Sequence, residues 1–434
     1  MLPLKSIKIV DLSRVLAGPL STMLLADMGA NVIKIEEPTR GDDTRSWLPP
    51  AAKLKPNPAA PHLPPESAYF LSTNRNKRSL ALNLKHKSGQ SIIKKLVKDA
   101  DVFVENYLPG KLSEFGLGYE DIKSINPSII YASITGYGQT GPFANAPGYD
   151  VLIEAEAGLM HITGEKQGNP VKVGVAITDI TTGLYAHGAI LAALFNKLRT
   201  GEGAHLDISL FESQIASLAN IASNYLISGK EAERQGTSHP SIVPYQTFTA
   251  SDGYIMIGAG NDKQFVSLAE VLGKDEWNSD ERYKTNASRV KYRDELVGQL
   301  NCILSKQSID YWLKKFKGSR YVFLFYFTFL TKKRRFSFGP INNIQRTFEH
   351  PQSLARNVVT EIEHKHPRIG NVKLTAPAIG YSGEKLKITK PPPYLGQHTN
   401  EVLREEGYTD DELLQFRKEG VVIDNSATPR DSKL

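Results

Sequence analysis

A single cysteine, Cys302, leaves no intrachain disulfide framework and no multi-cysteine metal site, and it points to a reducing environment. Its apolar helical surroundings make it a core residue rather than a reactive one. Long hydrophobic runs are missing too. The most apolar, Tyr321 to Leu330, has ten residues, short of the ~20 that span a bilayer as a helix, so no membrane span is expected. The first residues, M1-L-P-L-K-S-I-K-I-V10, carry neither an apolar signal core nor an Arg-rich leader. No G-x-S-x-G, H-E-x-x-H or Walker A loop occurs. Among the ten histidines, His364 and His366 stand two apart with no third ligand nearby, so no metal is expected.

What is present is ordinary for a globular protein: 40% hydrophobic and 23% charged residues. The 434 residues exceed one compact core and imply two domains of ~100–200 residues each or more. A net charge of +7 and a pI near 9.1 favour an anionic ligand or a basic compartment such as the mitochondrial matrix. The excess is too thinly spread to argue for nucleic acid.

The chain opens as a βαβ unit. Residues 6–12 read as a strand, R14-V-L-A-G-P19 as a turn, S21 to Gly29 as a helix and N31-V-I-K-I-E36 as a second strand. The turn offers Gly18 followed by Pro19 and no G-x-G-x-x-G, which weakens a dinucleotide reading. A proline-rich loop at 49–65 follows, then the basic run N74-R-N-K-R78. That run is either a solvated edge or a phosphate- or carboxylate-capturing loop. Further strands at 80–84, 101–105 and 128–134 exit through N106-Y-L-P-G110 and the glycine-rich T135-G-Y-G-Q-T-G-P142. Such exits, beyond the carboxyl ends of strands, are where open α/β sheets bind ligands. The glycines are either a ligand-approaching backbone or a plain turn. A strand (206–210) and a helix (212–227) precede a change of style near 242, where short strands joined by tight turns begin. The fold expected is α/β: a large Rossmann-like parallel-sheet domain with a smaller α+β domain. The boundaries are 1–224 for the large domain's N-terminal part, 225–317 for the small domain, 318–340 for an irregular insert and linker, and 341–434 for a C-terminal return.

One carboxylate draws notice. In V173-G-V-A-I-T-D-I-T-T-G183 a β-branched run ends at Asp179 and a helix follows. There the first-turn N–H groups and the helix dipole would favour the ionised form. Asp179 is either a helix cap, Asp being among the commonest cap residues, or a nucleophile that needs no base.

These blocks together resemble the family III CoA-transferases, the group that includes formyl-CoA and carnitine CoA-transferases and an α-methylacyl-CoA racemase. The supporting segments are I9 to Pro19, G29-A-N-V-I-K-I-E36, N74-R-N-K-R-S79, D101 to Gly110, S133 to Pro142 and L395-G-Q-H-T399. The blocks around 158–164, 241–246, 258–261 and 391–399 resemble the branch that uses dicarboxylates. The resemblance implies that Asp179 attacks an acyl-CoA, such as succinyl-CoA. CoA would then pass through an aspartyl anhydride and thioester to a dicarboxylate such as glutarate or hydroxymethylglutarate. Coenzyme A would be a substrate, with no tightly bound cofactor and no metal. It further implies that CoA lies along Val15, Leu16, Arg40, Leu82, Asn83, Lys85, Asn106, Tyr107, Leu108, Gly136, Tyr137 and Gly138. An arginine fork from Arg14 or Arg75 would hold the far carboxylate. An interlocked homodimer and a mitochondrial setting are implied as well, a cytoplasmic one being the alternative.

Departures keep two alternatives open. Racemases carry histidine where this chain has Tyr149, a poor base at neutral pH. Glu37 stands where the family often has arginine, with Arg40 as stand-in, and Glu114 replaces a basic residue further on. Together with the insert at 320–337, these leave room for a catalytically inactive CoA-binding scaffold; a proline-rich insert at 51–65 departs from the family as well.

Overall fold

The computed structural model describes residues 2–56, 64–317 and 336–425. The run Tyr321 to Leu330 and the rest of the insert before Phe336 lie outside them. The chain divides into two compact units, Met1–Leu159 with Lys172–Glu231 and Pro351–Leu434, and Met160–Val171 with Ala232–His350. The larger unit therefore takes both chain ends. The short excursion 160–171 into the smaller unit carries no compositional signal.

In the larger unit the strands are β1 (Lys8–Asp11), β2 (Asn31–Glu36), β3 (Arg78–Leu82), β4 (Val102–Glu105), β5 (Ile130–Thr135) and β6 (Ala204–Ser209). The smaller unit holds β7 (Tyr245–Ala250), β8 (Gly253–Gly258) and β9 (Ser337–Pro340), an antiparallel sheet. After the return come β10 (Val359–Glu363), β11 (Asn371–Thr375), β12 (Gly380–Tyr381), β13 (Glu384–Lys385) and β14 (Val422–Ile423). The main sheet runs β14-β3-β2-β1-β4-β5-β6, parallel except for β14. Helices over the N-terminal two thirds of the chain's larger unit and its boundary are α1 (Ala17–Asp27), α2 (Ala68–Thr73), α3 (Lys87–Leu96), α4 (Tyr119–Ile125), α5 (Asp150–Glu156), α6 (Leu159–Ile162), α7 (Ile177–Thr200), α8 (Leu210–Ser217) and α9 (Asn220–Ser228).

Strands β3, β4 and β5 are buried along their whole length, as parallel strands covered on both faces must be. Alternate residues feed two cores. Ile33, Leu80, Phe103 and Tyr131 pack with Ile92, Leu96, Leu403 and Leu413. Val32, Val104, Ala132 and Ile134 pack with Leu25, Ala186 and Ile190. In the smaller unit Phe248, Ile255 and Ile257 meet Phe265, Leu268, Leu296 and Trp312. Among the described residues no helix is long and apolar enough to cross a membrane.

The run N74-R-N-K-R78 is neither a solvated edge nor a ligand loop. All five residues are buried, and burial of charge demands partners. Arg75 pairs with Asp27, Lys77 with Asp11 and Arg78 with Glu401 and Glu405. Asn76 Oδ1 accepts from the N–H groups of Thr389 and Lys390. Ser79 and His398 exchange hydrogen bonds nearby, and the Thr399 hydroxyl joins Ala81 to Ile423. The basic run and L395-G-Q-H-T399 thus staple the C-terminal return onto β3.

Two local expectations change. The single helix read over Glu212 to Ile227 is two, α8 and α9, broken where Ala219 adopts φ 48. Cys302 is exposed on the helix Arg293–Leu304 rather than in the core, because that helix buries Leu296, Leu300 and Leu304 on another face.

Candidate active site

The strand order reverses between β1 and β4, the switch point where a crevice opens beyond the strands' carboxyl ends. Exits from β1 and β4 are clamped there. Arg14 N–H donates to Asn106 Oδ1 at 2.9 Å, and Asn106 Nδ2 returns a bond to the Arg14 carbonyl at 2.8 Å. Val15 is held at φ 72, a region costly for a β-branched residue. Its N–H donates to Asp42 Oδ1 at 3.2 Å. Gly18 makes this turn feasible, since a Cβ there would lie 2.3 Å from that of Ser13. On the far wall, a Cβ on Gly183 would stand 2.8 Å from the Ala17 carbonyl oxygen. That glycine lets α7 cross close to the start of α1, which brings Val15, Leu16 and Ala17 alongside Asp179.

These residues line a cavity of about 390 Å³ with Asn106, Tyr107, Leu108, Gly136, Tyr149 and Asp150. A second cavity, about 670 Å³, is lined by Arg40, Leu82, Asn83 and Lys85. Both share Arg14, Asp43, Tyr107 and Lys111, so one track runs from Asp179 to the exit of β3. Most residues expected along CoA therefore come together. Tyr137 and Gly138 do not line either cavity. The Tyr137 hydroxyl donates to Glu156 and the Gly138 N–H to Thr135 Oγ1. Gly136 serves packing: a Cβ on it would lie 2.7 Å from the Gly148 Cα, and this contact seats the loop that carries Asp150.

Asp179 is the third residue of α7 and does not cap it; Ala176 occupies the cap position with no side-chain cap. The anion serving this helix start is Asp150, whose Oδ1 accepts the Asp179 N–H at 3.0 Å. The expectation that the helix end keeps Asp179 ionised is thereby reversed. Burial, then repulsion from Asp150, pushes its carboxyl up to about 7. Tyr69 lies within this field. Burial first, then Asp179 and Asp150, push its phenol up to about 12 and keep it a protonated donor. Asp150, Asp43, Lys111 and Tyr69 were not singled out from sequence. Asp150 stands next to Tyr149 in a block already noted, and Lys111 directly follows the N106–G110 turn.

The two acidic departures are accommodated. The Glu37 carboxylate accepts the N–H groups of Thr39 and Arg40, building the turn that presents Arg40 to the cavity. Glu114 pairs with Lys111 and leaves that lysine in the lining. Arg75 does not reach either cavity. It is 5% exposed, its Nε and Nη2 hold Asp27, and its Nη1 donates to the Thr375 carbonyl. Its partners are structural because Asp27, 2% exposed, needs a counter-charge. Arg75→Ala is accordingly expected to cost roughly 3–5 kcal/mol of stability in urea unfolding, with acceptor KM unchanged in the folded fraction. Arg14 is the arginine that faces the track, with Nη1 on Asp43 at 2.9 Å and its guanidinium 5.6 Å from the Tyr107 ring centroid.

A carboxylate in a part-buried cleft, beside a cationic track and a glycine-seated loop, suits acyl transfer through a covalent carboxyl intermediate. Among the described residues no group of three metal-ligating side chains occurs.

Comparison with known proteins agrees with this geometry. The chain is 48% identical over 426 residues to the succinyl-CoA:glutarate CoA-transferase of Homo sapiens, covering 98% of this chain and 91% of that one. It is 40% identical over 405 residues to the succinate–glutarate CoA-transferase of Agrobacterium fabrum, covering 93% and 95%. Among solved structures, a CAIB/BAIF family protein from Brucella suis superposes with a TM-score of 0.79 at 40% identity, covering 93% of this chain and 99% of that one. The family model described as CoA-transferase family III matches residues 4–399, and this chain belongs to that family.

Proposed function

We propose that this CoA-transferase moves CoA from succinyl-CoA to glutarate or a closely related dicarboxylate, with Asp179 as the nucleophile. The observation that carries the reading is the placement of Asp179 at the inner end of the Arg14–Lys85 track. The donor and acceptor follow from the relatives named for those acids. The Asp179 carboxylate attacks the thioester carbonyl, giving a mixed anhydride and expelling CoA thiolate. The thiolate attacks the aspartyl carbonyl, giving an aspartyl-CoA thioester and free succinate. An acceptor carboxylate displaces the thiolate to form a second anhydride. The thiolate then takes the acceptor's acyl carbon and restores Asp179. No general base is needed at any step, since every attacking group acts as an anion, Asp179 in the ionised form it takes as pH rises through about 7.

The cavity composition favours this over racemisation. Among the described residues no histidine lines it, and the position where racemases carry one is Tyr149, whose side chain is 68% exposed. The inactive-scaffold reading loses two of its three motives, because Glu37 builds the turn that presents Arg40 and Glu114 pairs with Lys111; the third, the insert at 320–337, lies before Phe336 outside the described residues. The direct test is to incubate the enzyme with succinyl-CoA, quench with hydroxylamine and map the modified residue by mass spectrometry. Modification at Asp179 is expected; CoA binding without it would return the scaffold reading.

Arg14 is the group we assign to the acceptor's far carboxylate. Arg14→Ala should raise the KM for glutarate about tenfold or more while affecting monocarboxylate acceptors little. Equal effects on both acceptor classes would remove Arg14 from that role. The apolar side chains that α7 and α9 leave open, Leu184, Phe195, Leu198 and Leu226, support a homodimer, testable by light scattering across a concentration series. The basic pI and the resemblance support a mitochondrial setting, testable by cell fractionation.

A further inference from the structure

A third cavity, about 220 Å³, lies behind the acyl-CoA track and is lined by Glu105, Tyr119, Tyr131, Ser133, Gln139 and His205, among others. Leu108 lines both this cavity and the one holding Asp179. Glu105 ends β4 and is buried, and its register partner on β5 is Ser133. Ser133 stands beside the Glu105 carboxylate across the β4–β5 pair, and Glu105 Oε2 accepts the Tyr107 N–H at 2.8 Å. Ser133 Oγ lies 3.0 Å from His205 Nε2. His205 is stacked on Tyr119 at 4.5 Å and meets Tyr131 edge-on.

The Tyr107 N–H is the point of interest. Tyr107 lines both cavities of the track, and Leu108 follows it directly. We propose that Glu105, buried beside Ser133 and His205, is a proton-sensitive positioning residue that fixes the Tyr107–Leu108 wall of the acyl-CoA cavity when ionised and loosens it when protonated. An ionised carboxylate makes a stronger acceptor for a backbone N–H than a neutral carboxyl does. The groups facing Glu105 supply no ion pair to keep it charged. Tyr131 and Ser133 come from β5, His205 from β6, and Tyr119, Glu120 and Asp121 from α4. Burial holds His205 below its usual range, so it stays neutral near pH 7. Burial likewise pushes Glu105 up to about 7, against the opposing influence of the Ser133 hydroxyl and the Tyr107 N–H.

The inference rests on the track being the CoA site. Asp179 also titrates near 7, so the experiment uses the full-length Asp179→Asn protein, which removes that titration. Its affinity for free CoA is measured by calorimetry between about pH 6 and about pH 8.5. Affinity is expected to weaken about three- to tenfold toward the acid end. Adding Glu105→Gln should flatten that dependence to the low-pH affinity, leaving only the titration of the CoA phosphates common to both proteins. Ser133→Ala removes a neighbouring hydroxyl that favours the ionised form and should move the midpoint upward, and it reads out the same device should the glutamine variant fail to fold. An unchanged pH dependence in Glu105→Gln, or an unmoved midpoint in Ser133→Ala, overturns the inference alone. Failure of the parent to bind CoA at any pH overturns the track reading and the inference with it.

Discussion

Asp179→Asn is expected to lower CoA transfer roughly 10⁴-fold or more and, at the same time, to make the protein more stable above neutral pH. The first effect follows from removing the carboxylate that forms the aspartyl intermediate at the inner end of the track. The second follows from what the native fold imposes on that anion. Burial and Asp150 raise the Asp179 carboxyl from an ordinary 3.8 to about 7. A carboxyl raised on folding binds its proton more tightly in the native state. Its contribution to stability is complete below about 3.8, is lost as pH climbs through about 7, and is level beyond. Asparagine carries no such dependence. The gap between mutant and wild type should therefore be near zero at about pH 4 and grow to about 2 kcal/mol at about pH 8, after allowing for water in a half-open cavity. Urea titrations at the two pH values measure it. A mutant that is inactive but no more stable at the higher pH would show that burial and Asp150 do not strain the Asp179 carboxyl. In the wild-type enzyme the same shift predicts that kcat/KM for succinyl-CoA rises with pH and levels off above about 7.

The raised carboxyl also marks the limit of what the sequence shows. Strand periodicity and glycine punctuation located β2 at Asn31–Glu36 as read, and most other sheet strands within a few residues. Those signals are local. The environment of Asp179 is not local: Asp150 lies 29 positions away and meets it only because Gly136 and Gly148 pack backbone on backbone. The basic run at 74–78 was misread for the same reason. Its partners stand 48, 66 and 327 positions away, at Asp27, Asp11 and Glu405. A charge run is indistinguishable from a solvated edge until those partners are known. Arg14 and Arg75 were equal candidates in sequence; burial separates them, sending one to a structural pair and leaving the other on the track. The cationic lining was legible only in part, since Lys85 and Arg40 fell in recognisable blocks whereas Lys111 did not.

Arg45→Met should be the most destabilising single substitution near the site, by roughly 3–5 kcal/mol at about pH 8. Arg45 is buried between two carboxylates. Its Nε and Nη2 engage Glu36 at 2.7 and 2.9 Å, its Nη1 engages Glu66 at 2.9 and 2.8 Å, and Nη2 also reaches the Pro393 carbonyl at 3.1 Å. The guanidinium carbon lies 3.6 Å from the centroid of the Phe70 ring. Burial alone would raise Glu36, yet Arg45 holds it below its usual range. Glu66 stays raised by burial despite Arg45, with Glu36 adding to the rise. Without the arginine both carboxyls face each other unpaired, and both would be pushed above 4.5. Their charged forms then oppose folding, so the mutant should regain stability as pH falls and they take up protons. The deficit relative to wild type is expected to shrink by at least half between about pH 8 and about pH 5. A deficit below about 1 kcal/mol, or one independent of pH, would mean that water or local relaxation already screens the pair. Function should follow the same lesion. Glu36 accepts the Asp42 N–H and the Ser79 hydroxyl, and Asp42 in turn holds Lys34 and the strained Val15 turn. Losing Arg45 loosens the segment that presents Arg40 and Asp43 to the track, so KM for succinyl-CoA should rise while Asp179 can still be acylated. This separates a scaffold lesion from a chemical one: Arg45→Met keeps a trappable Asp179 adduct, whereas Asp179→Asn does not.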